Sequence, residues 1–248
     1  MELLFADASV FKKLVDGIAT LVSEAEFLVD EKGLSLKATD PSQISLVDFT
    51  LPKKAFKKFE ISGNSKIGVD LNYLNQVMSR AKASDSLKLS ASKDSSSLSV
   101  VFQGSAQRSF SIPLIDISQA DLPVPKIDFD AIVRLKAGVL QDSFKDAALV
   151  SSHVLLAVEN DSLKVKATSS KGNLENVYAS KGESIISLKA QQEASAMFPL
   201  EYLSGMVKAA SSDTEITLNL KSSAPAELSY SVGEGTLRYF LAPIIESE

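Results

Sequence analysis

Apolar residues recur along the chain in two periods. Phe11, Leu14, Val15 and Ile18 fall at i, i+3, i+4 and i+7, one face of a helix, with Lys12, Lys13 and Asp16 off that face. Leu71, Leu74, Val77, Met78 and Ala81 predict a second helix over Leu71–Lys82. Around these lie β-rich runs: Phe27–Asp30, Leu34–Ala38, Ile44–Leu51, Leu87–Ala91, Leu98–Phe102 and Arg108–Ile112, punctuated by Glu31-Lys32-Gly33 and Asp40-Pro41-Ser42. The second half predicts helices near Val139–Leu149 and Leu200–Ala210. Its strands fall near Val154–Val158, Leu163–Thr168, Glu175–Ala179, Ile185–Lys189, Glu215–Leu220, Glu227–Val232 and Thr236–Leu241.

The two halves are versions of one pattern. A shift of 129 residues lays Leu34-Ser35-Leu36-Lys37-Ala38-Thr39 on Leu163-Lys164-Val165-Lys166-Ala167-Thr168, and Leu71-Asn72-Tyr73-Leu74 on Leu200-Glu201-Tyr202-Leu203. Val77, Met78 and Ala81 then fall on Met206, Val207 and Ala210. A shift of 130 sets Pro113, Ile115 and Asp116 on Pro243, Ile245 and Glu246. Between the halves, Ile117–Pro125 carries two prolines two residues apart, which hold the backbone extended and outside a regular ladder. The expected domains are therefore 1–116 and 126–248, with a linker at 117–125 whose Leu122 and Val124 point to one side.

Composition narrows the chemistry. With no cysteine, disulfides, thiol nucleophiles and cysteine-held metals are excluded. One histidine, His153 in the apolar run His153-Val154-Leu155-Leu156, excludes a multi-histidine metal cage and reads as structural. The 11 glycines form no phosphate loop: Gly233-Glu234-Gly235 completes neither nucleotide fingerprint. The pairs Asp128/Asp130 and Glu24/Glu26 read as solvated turn carboxylates, and Asn160-Asp161-Ser162 as a glycosylation triplet that matters only on secretion. No catalytic constellation, cofactor or metal site is expected. The first residues lack a basic, apolar leader, and no apolar run reaches the roughly 20 residues of a membrane span, so an intracellular, membrane-free chain is expected. The formal charge of −5 argues against tight wrapping of nucleic acid.

Taken together, these features resemble the PCNA family of DNA sliding clamps of the archaeal and eukaryotic type. The resemblance is carried by Leu36-Lys37-Ala38-Thr39-Asp40-Pro41-Ser42-Gln43-Ile44-Ser45-Leu46-Val47 and by Leu237-Arg238-Tyr239-Phe240-Leu241-Ala242-Pro243-Ile244-Ile245-Glu246. Ile67-Gly68-Val69-Asp70-Leu71 and Met197-Phe198-Pro199-Leu200-Glu201-Tyr202-Leu203 support it. The resemblance implies an α+β fold of two topologically similar domains, each with two helices packed on antiparallel sheets, and three chains closed into a ring with helices lining the hole. It implies no enzyme activity. The chain would encircle double-stranded DNA without sequence preference, holding it by topology. By a short peptide motif it would dock DNA polymerase, flap endonuclease and DNA ligase, with a clamp loader to open the ring.

Residue by residue, the resemblance places Lys12, Lys13, Lys145 and Lys208 at basic positions of the lining; Arg80 and Lys82 join them by helix position alone. The alternative for each is an ordinary solvated face. Ala19, Gln76, Ser79, Asp142 and Glu201 stand where relatives often carry Lys or Arg, so direct DNA affinity is expected to be weak. Lys53, Lys54, Lys57 and Lys58, interleaved with Phe56 and Phe59, read as an exposed turn or short helix. The strand holding Phe110 and Ile112 is implied to pair with the strand holding Leu174 and Val177 of a neighbouring subunit, an ordinary core aromatic being the other reading of Phe110. The partner-peptide pocket carries over to Thr39, Gln43, Ile44, Leu46, Leu122, Val124, Pro125, Pro225, Phe240, Ala242, Pro243 and Ile245; core packing is the other reading of Ile44 and Leu46. Phe240 replaces a tyrosine and Gln43 a histidine of relatives. Two other readings stay open: a subunit of a heterotrimeric clamp, and a two-domain enzyme with a carboxylate and hydroxyl site.

Overall fold

The computed structural model describes residues 1–92, 96–117 and 122–245. The chain divides into two units. Unit 1 holds Met1–Pro41, Val47–Pro123 and Ser231–Leu237; unit 2 holds Ser42–Leu46, Val124–Tyr230 and the chain from Arg238. The boundaries expected at 116 and 126 capture the bulk of each unit but not the two short exchanged segments, Ser42–Leu46 and Ser231–Leu237. Of the expected linker, residues 118–121 lie outside the described residues.

The first half runs β1 (Glu2–Phe5), α1 (Ala8–Ala19), β2 (Glu24–Asp30), β3 (Gly33–Thr39), β4 (Ser45–Pro52), β5 (Lys58–Glu60), β6 (Ser65–Asp70), α2 (Leu71–Met78), β7 (Ser86–Ser90), β8 (Ser97–Gln103) and β9 (Gln107–Pro113). The second half runs β10 (Ala131–Lys136), α3 (Ala137–Val150), β11 (His153–Glu159), β12 (Ser162–Ser169), β13 (Gly172–Ala179), β14 (Ile185–Ala190), β15 (Ala194–Pro199), α4 (Leu200–Lys208), β16 (Glu215–Leu220), β17 (Ala226–Val232) and β18 (Gly235–Leu241). The 129-residue shift carries the start of β1 onto β10, α1 onto α3, β2 onto β11, β3 onto β12, β6 onto β15, α2 onto α4, β7 onto β16 and β8 onto β17, with the remaining strands a few residues out of step.

Unit 1 has one antiparallel sheet in the order β5-β1-β7-β8-β9 and a second strand run β6-β2-β3-β4, beside which the first residues of β18 lie. Unit 2 repeats both: β14-β10-β16-β17-β18 and β15-β11-β12-β13. Identical strand orders confirm that the halves share one topology.

Local chemistry explains the elements. Asp7 Oδ1 accepts from Ser9 N at 2.8 Å to start α1, whose Phe11, Leu14, Val15 and Ile18 are buried. Asp70 Oδ1 caps α2 through Tyr73 N at 2.9 Å. The helix stops at Met78, four residues short of the expected Lys82. Arg80 N and Ala81 N bond the carbonyls three residues back, tightening the last turn, and the Asp85 carboxylate takes Lys82 N at 2.7 Å. The β11–β12 connection is a two-residue turn with Asn160 and Asp161 at φ 50° and 56°, the signature of a type I′ hairpin. At Gly33, φ is 145° and an added Cβ would sit 2.1 Å from the Leu51 carbonyl oxygen, so only glycine fits.

Five strands were not predicted. β10 buries Ala131, Val133 and Leu135 and exposes Ile132, Arg134 and Lys136, a period of two that was legible. β1 and β5 are too short to show one, and β6 and β15 are read above only as family motifs. The Lys53–Phe59 segment is a single 3-10 turn, Lys53–Ala55, followed by β5; Phe56 is buried against Phe5, with ring centroids 4.6 Å apart.

On unit 2's second sheet, Lys164 and Lys166 lie 2.8 and 2.9 Å from Glu159, and their hydrogen bonds hold its carboxyl down at about 2. A carboxylate lowered in the folded state stabilises fully above its ordinary value of 4.5, and that contribution fades as pH falls towards 2. Glu159→Gln is therefore expected to lower the urea midpoint at pH 5 and to match the wild type near pH 2. A constant gap across that range contradicts the assignment.

Candidate functional site

In unit 1 the expected lining cations gather where α2 ends. Lys12 Nζ donates to the Ser79 carbonyl at 3.4 Å, where terminal carbonyls carry the negative end of the helix dipole. Lys13 is exposed on α1. Arg80 and Lys82, expected on the helix, instead occupy the exposed turn after it. This turn is fastened by a group the sequence did not single out. Arg108 on β9 donates through Nη1 to the Arg80 carbonyl at 2.7 Å and through Nη2 to Asp85, whose side chain is buried. The Asp85 carbonyl accepts Ala8 N at 2.9 Å, tying the turn to α1. A Cβ on Gly104 would lie 2.2 Å from Asp85 Oδ1. The only advance signal was this glycine near a lone arginine.

In unit 2, Lys145 on α3 is exposed and pairs with Asp142 at 2.9 Å, and Lys208 ends α4. Gln141, not a lysine, closes this helix end, its Nε2 donating to the Val207 and Ala210 carbonyls at 2.9 Å each.

Six strands end their sheets among the described residues, β5, β6 and β9 in unit 1 and β13, β14 and β15 in unit 2. Of these, β9 and β13 carry the residues expected at the subunit junction. Phe110 on β9 is half-buried, its ring edge-on to Phe102 with centroids 5.9 Å apart. Ile112, expected at the edge, lies on the same inward face of β9 as Phe110 and is wholly buried in unit 1's own core. On β13, Leu174 is half-buried and Val177 is 52% exposed on the opposite face. Tyr178, on the inward face, bonds Ser143 at 2.6 Å.

The expected peptide-pocket residues divide between the units. Unit 2 brings Gln43, Ile44 and Leu46 to its C-terminal segment: Ala242 N donates to the Ile44 carbonyl at 2.8 Å, and Ile244 N to the Met197 carbonyl at 2.7 Å. Gln43 is exposed with φ 58°, a left-handed conformation that a non-glycine residue adopts at a cost. Ile44, Val124, Pro125, Pro225, Ala242 and Pro243 are half-buried, and Ile245 is exposed. Leu46 and Phe240 are buried, so they floor the site from within the core; Arg238 lies 5.3 Å from the Phe240 ring. In unit 1, Thr39 is half-buried at the end of β3. Leu122 lines a groove of about 800 Å³ over β2, β3 and β4, where Leu28 is exposed on the floor.

The N-terminal domain of proliferating cell nuclear antigen matches residues 1–123, and its C-terminal domain matches residues 123–244. The chain belongs to the proliferating cell nuclear antigen family. Among PCNA relatives, the DNA polymerase sliding clamp of Pyrococcus furiosus is 33% identical over 246 residues, covering 99% of this chain and 98% of that one. That of Thermofilum pendens is 33% identical over 248 residues, covering 99% and 100%. PCNA from Thermococcus kodakaraensis superimposes with a TM-score of 0.93 at 25% identity, over 98% of this chain and 99% of that one. A. fulgidus PCNA, solved with the C-terminal region of FEN-1 bound, gives 0.89 at 27% identity over 100% and 99%. These PCNA matches run the length of the chain and leave the two-domain enzyme reading without support. Among the described residues, no helix is long and apolar enough to cross a membrane.

Proposed function

We propose that this chain is a DNA polymerase sliding clamp: three copies close head to tail around double-stranded DNA, and partner enzymes dock on the ring by a short peptide. One observation carries the reading. In the duplicated plan β4 corresponds to β13 and β9 to β18. Within unit 1, β4 has β18 beside it, whereas β9 and β13 keep open edges among the described residues. A β13 from a second copy, laid against β9, repeats the arrangement already made within the chain. A surface meeting a different surface in this way closes into a ring where its rotation permits. Enclosure needs no tight grip, which suits a chain of net charge −5. Whether the three copies are identical is read from the mass of the protein purified alone.

Partner docking is assigned, in unit 2, to the half-buried Ile44, Val124, Pro125, Pro225, Ala242 and Pro243 together with the exposed Gln43 and Ile245. The family resemblance adds Thr39 and Leu122 of unit 1. The A. fulgidus relative is solved with the C-terminal region of FEN-1 bound, which supports flap-endonuclease docking here. Docking of polymerase, ligase and clamp loader by the same peptide mode is part of the proposal. Leu122→Ala with Val124→Ala removes apolar anchoring surface, a loss of about 1.5–2 kcal/mol. Isothermal calorimetry with a peptide carrying one glutamine and two aromatic anchors is expected to show affinity about 10- to 30-fold weaker. Ring mass should not change. Unchanged affinity removes the linker from the pocket.

A further inference from the structure

We propose that a duplex inside the ring takes its phosphate contacts from unit 1 alone, at the cationic end of α2, and that the helices of unit 2 contribute none of weight. This deepens the clamp reading and rests on it.

The inference comes from comparing the units position by position. Ala8 N bonds the Asp85 carbonyl at 2.9 Å in unit 1, and Ala137 N bonds the Thr214 carbonyl at 2.8 Å in unit 2, so the turns after α2 and α4 are in register at the 129-residue shift. In that register Lys12 and Lys13 correspond to Gln141 and Asp142, and Arg80 and Lys82 to Ala209 and Ser211. Unit 1 thus gathers four cations on α1 and the turn after α2. The carboxylates there are Asp16, which accepts from Asn75 Nδ2 at 3.2 Å, and Asp85, which is buried and covered by Arg108. The N-cap carboxylates Asp7 and Asp70 are engaged by Ser9 N and Tyr73 N. Unit 2 carries Lys136 at its N-cap position, Lys145 and Lys208 against Asp142, Asp146, Glu201 and Asp213. Lys145 is paired to Asp142, and Asp146 accepts from Asn176 Nδ2 at 3.3 Å, much as Asp16 accepts from Asn75.

The unit 1 cations are also held in place. Arg108 and Asp85 grip the backbone at Arg80 and Lys82, leaving both side chains exposed and pointing off a fixed turn. Polyanion contact is a sum of such local cations, since each neutralised phosphate releases condensed counterion. A face whose carboxylates outnumber its lysines repels phosphate at the same range.

The experiment compares two double variants of the full-length ring: Arg80→Gln/Lys82→Gln in unit 1 and Lys145→Gln/Lys208→Gln in unit 2. Because the fastening bonds use the backbone of Arg80 and Lys82, losing their side chains leaves the turn intact; light scattering confirms equal ring mass. Binding of a labelled linear duplex of about 30 base pairs is followed by fluorescence anisotropy across a salt series. The unit 1 pair is expected to weaken binding at least about 5-fold and to flatten the slope of log K against log salt by about 1 to 2. The unit 2 pair should stay within about 2-fold of the wild type. Equal weakening by both pairs, stronger weakening by the unit 2 pair, or wild-type binding without salt dependence overturns the inference. If neither pair matters yet the ring is retained on circular DNA, this inference fails alone; if circles are not retained, the clamp reading itself fails.

Discussion

Val177→Asp is expected to turn a particle of three times 26.6 kDa into one of 26.6 kDa. Val177 is 52% exposed on β13 and faces away from the side that carries Leu174 and Tyr178, so the substitution removes little packing from unit 2. What it adds is a charge on the strand edge assigned to the subunit junction, and an edge charge is an effective block to strand pairing. The junction occurs at each contact of a closed ring, so one substitution acts on all of them. Phe110→Asp should act from the other side of the junction, but Phe110 also rests on Phe102, so its melting curve must be compared with the wild type. Light scattering at micromolar concentration decides the matter. Unchanged mass in both variants removes β9 and β13 from the interface.

Asp85→Ala is expected to cost about 2–3 kcal/mol of folding stability. Removing one partner of a buried ion pair typically costs 3–5 kcal/mol, because the other charge is left uncompensated. The Arg108 side chain is 25% exposed, so water offsets part of the loss and the lower figure applies. Asp85 also accepts Lys82 N, a backbone donor that the alanine leaves unmatched. Asp85→Asn keeps an acceptor and should recover part of the difference. Since assembly adds concentration-dependent stability, the urea titrations belong in the Val177→Asp background. A change below about 0.5 kcal/mol would mean that the pair does not hold the turn.

Much of the fold was legible because the duplication writes the pattern twice. Phe11, Leu14, Val15 and Ile18 gave α1, and the shift by 129 residues carried it to α3 at Ala137–Val150. The ends of elements were less legible, since tertiary bonds set them. Nothing local in Met78-Ser79-Arg80-Ala81 says that α2 stops there; the Asp85 carboxylate stops it from seven residues beyond Met78. Ile112 shows the same limit on the candidate interface. It shares the inward face of β9 with Phe110, yet Ile112 is wholly buried while Phe110 stays half-exposed, a difference of packing along one face that strand periodicity does not reveal. The exchanged segments Ser42–Leu46 and Ser231–Leu237 were invisible because strand neighbours distant in sequence leave no local trace. The family motifs, by contrast, marked Gln43, Ile44 and Ala242, which the structure joins through the Ala242–Ile44 hydrogen bond.

Retention on circular DNA tests enclosure most directly. The chain is loaded onto a nicked circular plasmid with its cognate clamp loader and ATP, freed of loader in high salt, and passed through a gel-filtration column before and after one restriction cut. Co-elution with the circle and loss from the linear form is the predicted result. Equal retention on both forms contradicts it, because a protein held by contacts alone has no reason to leave when the DNA gains an end.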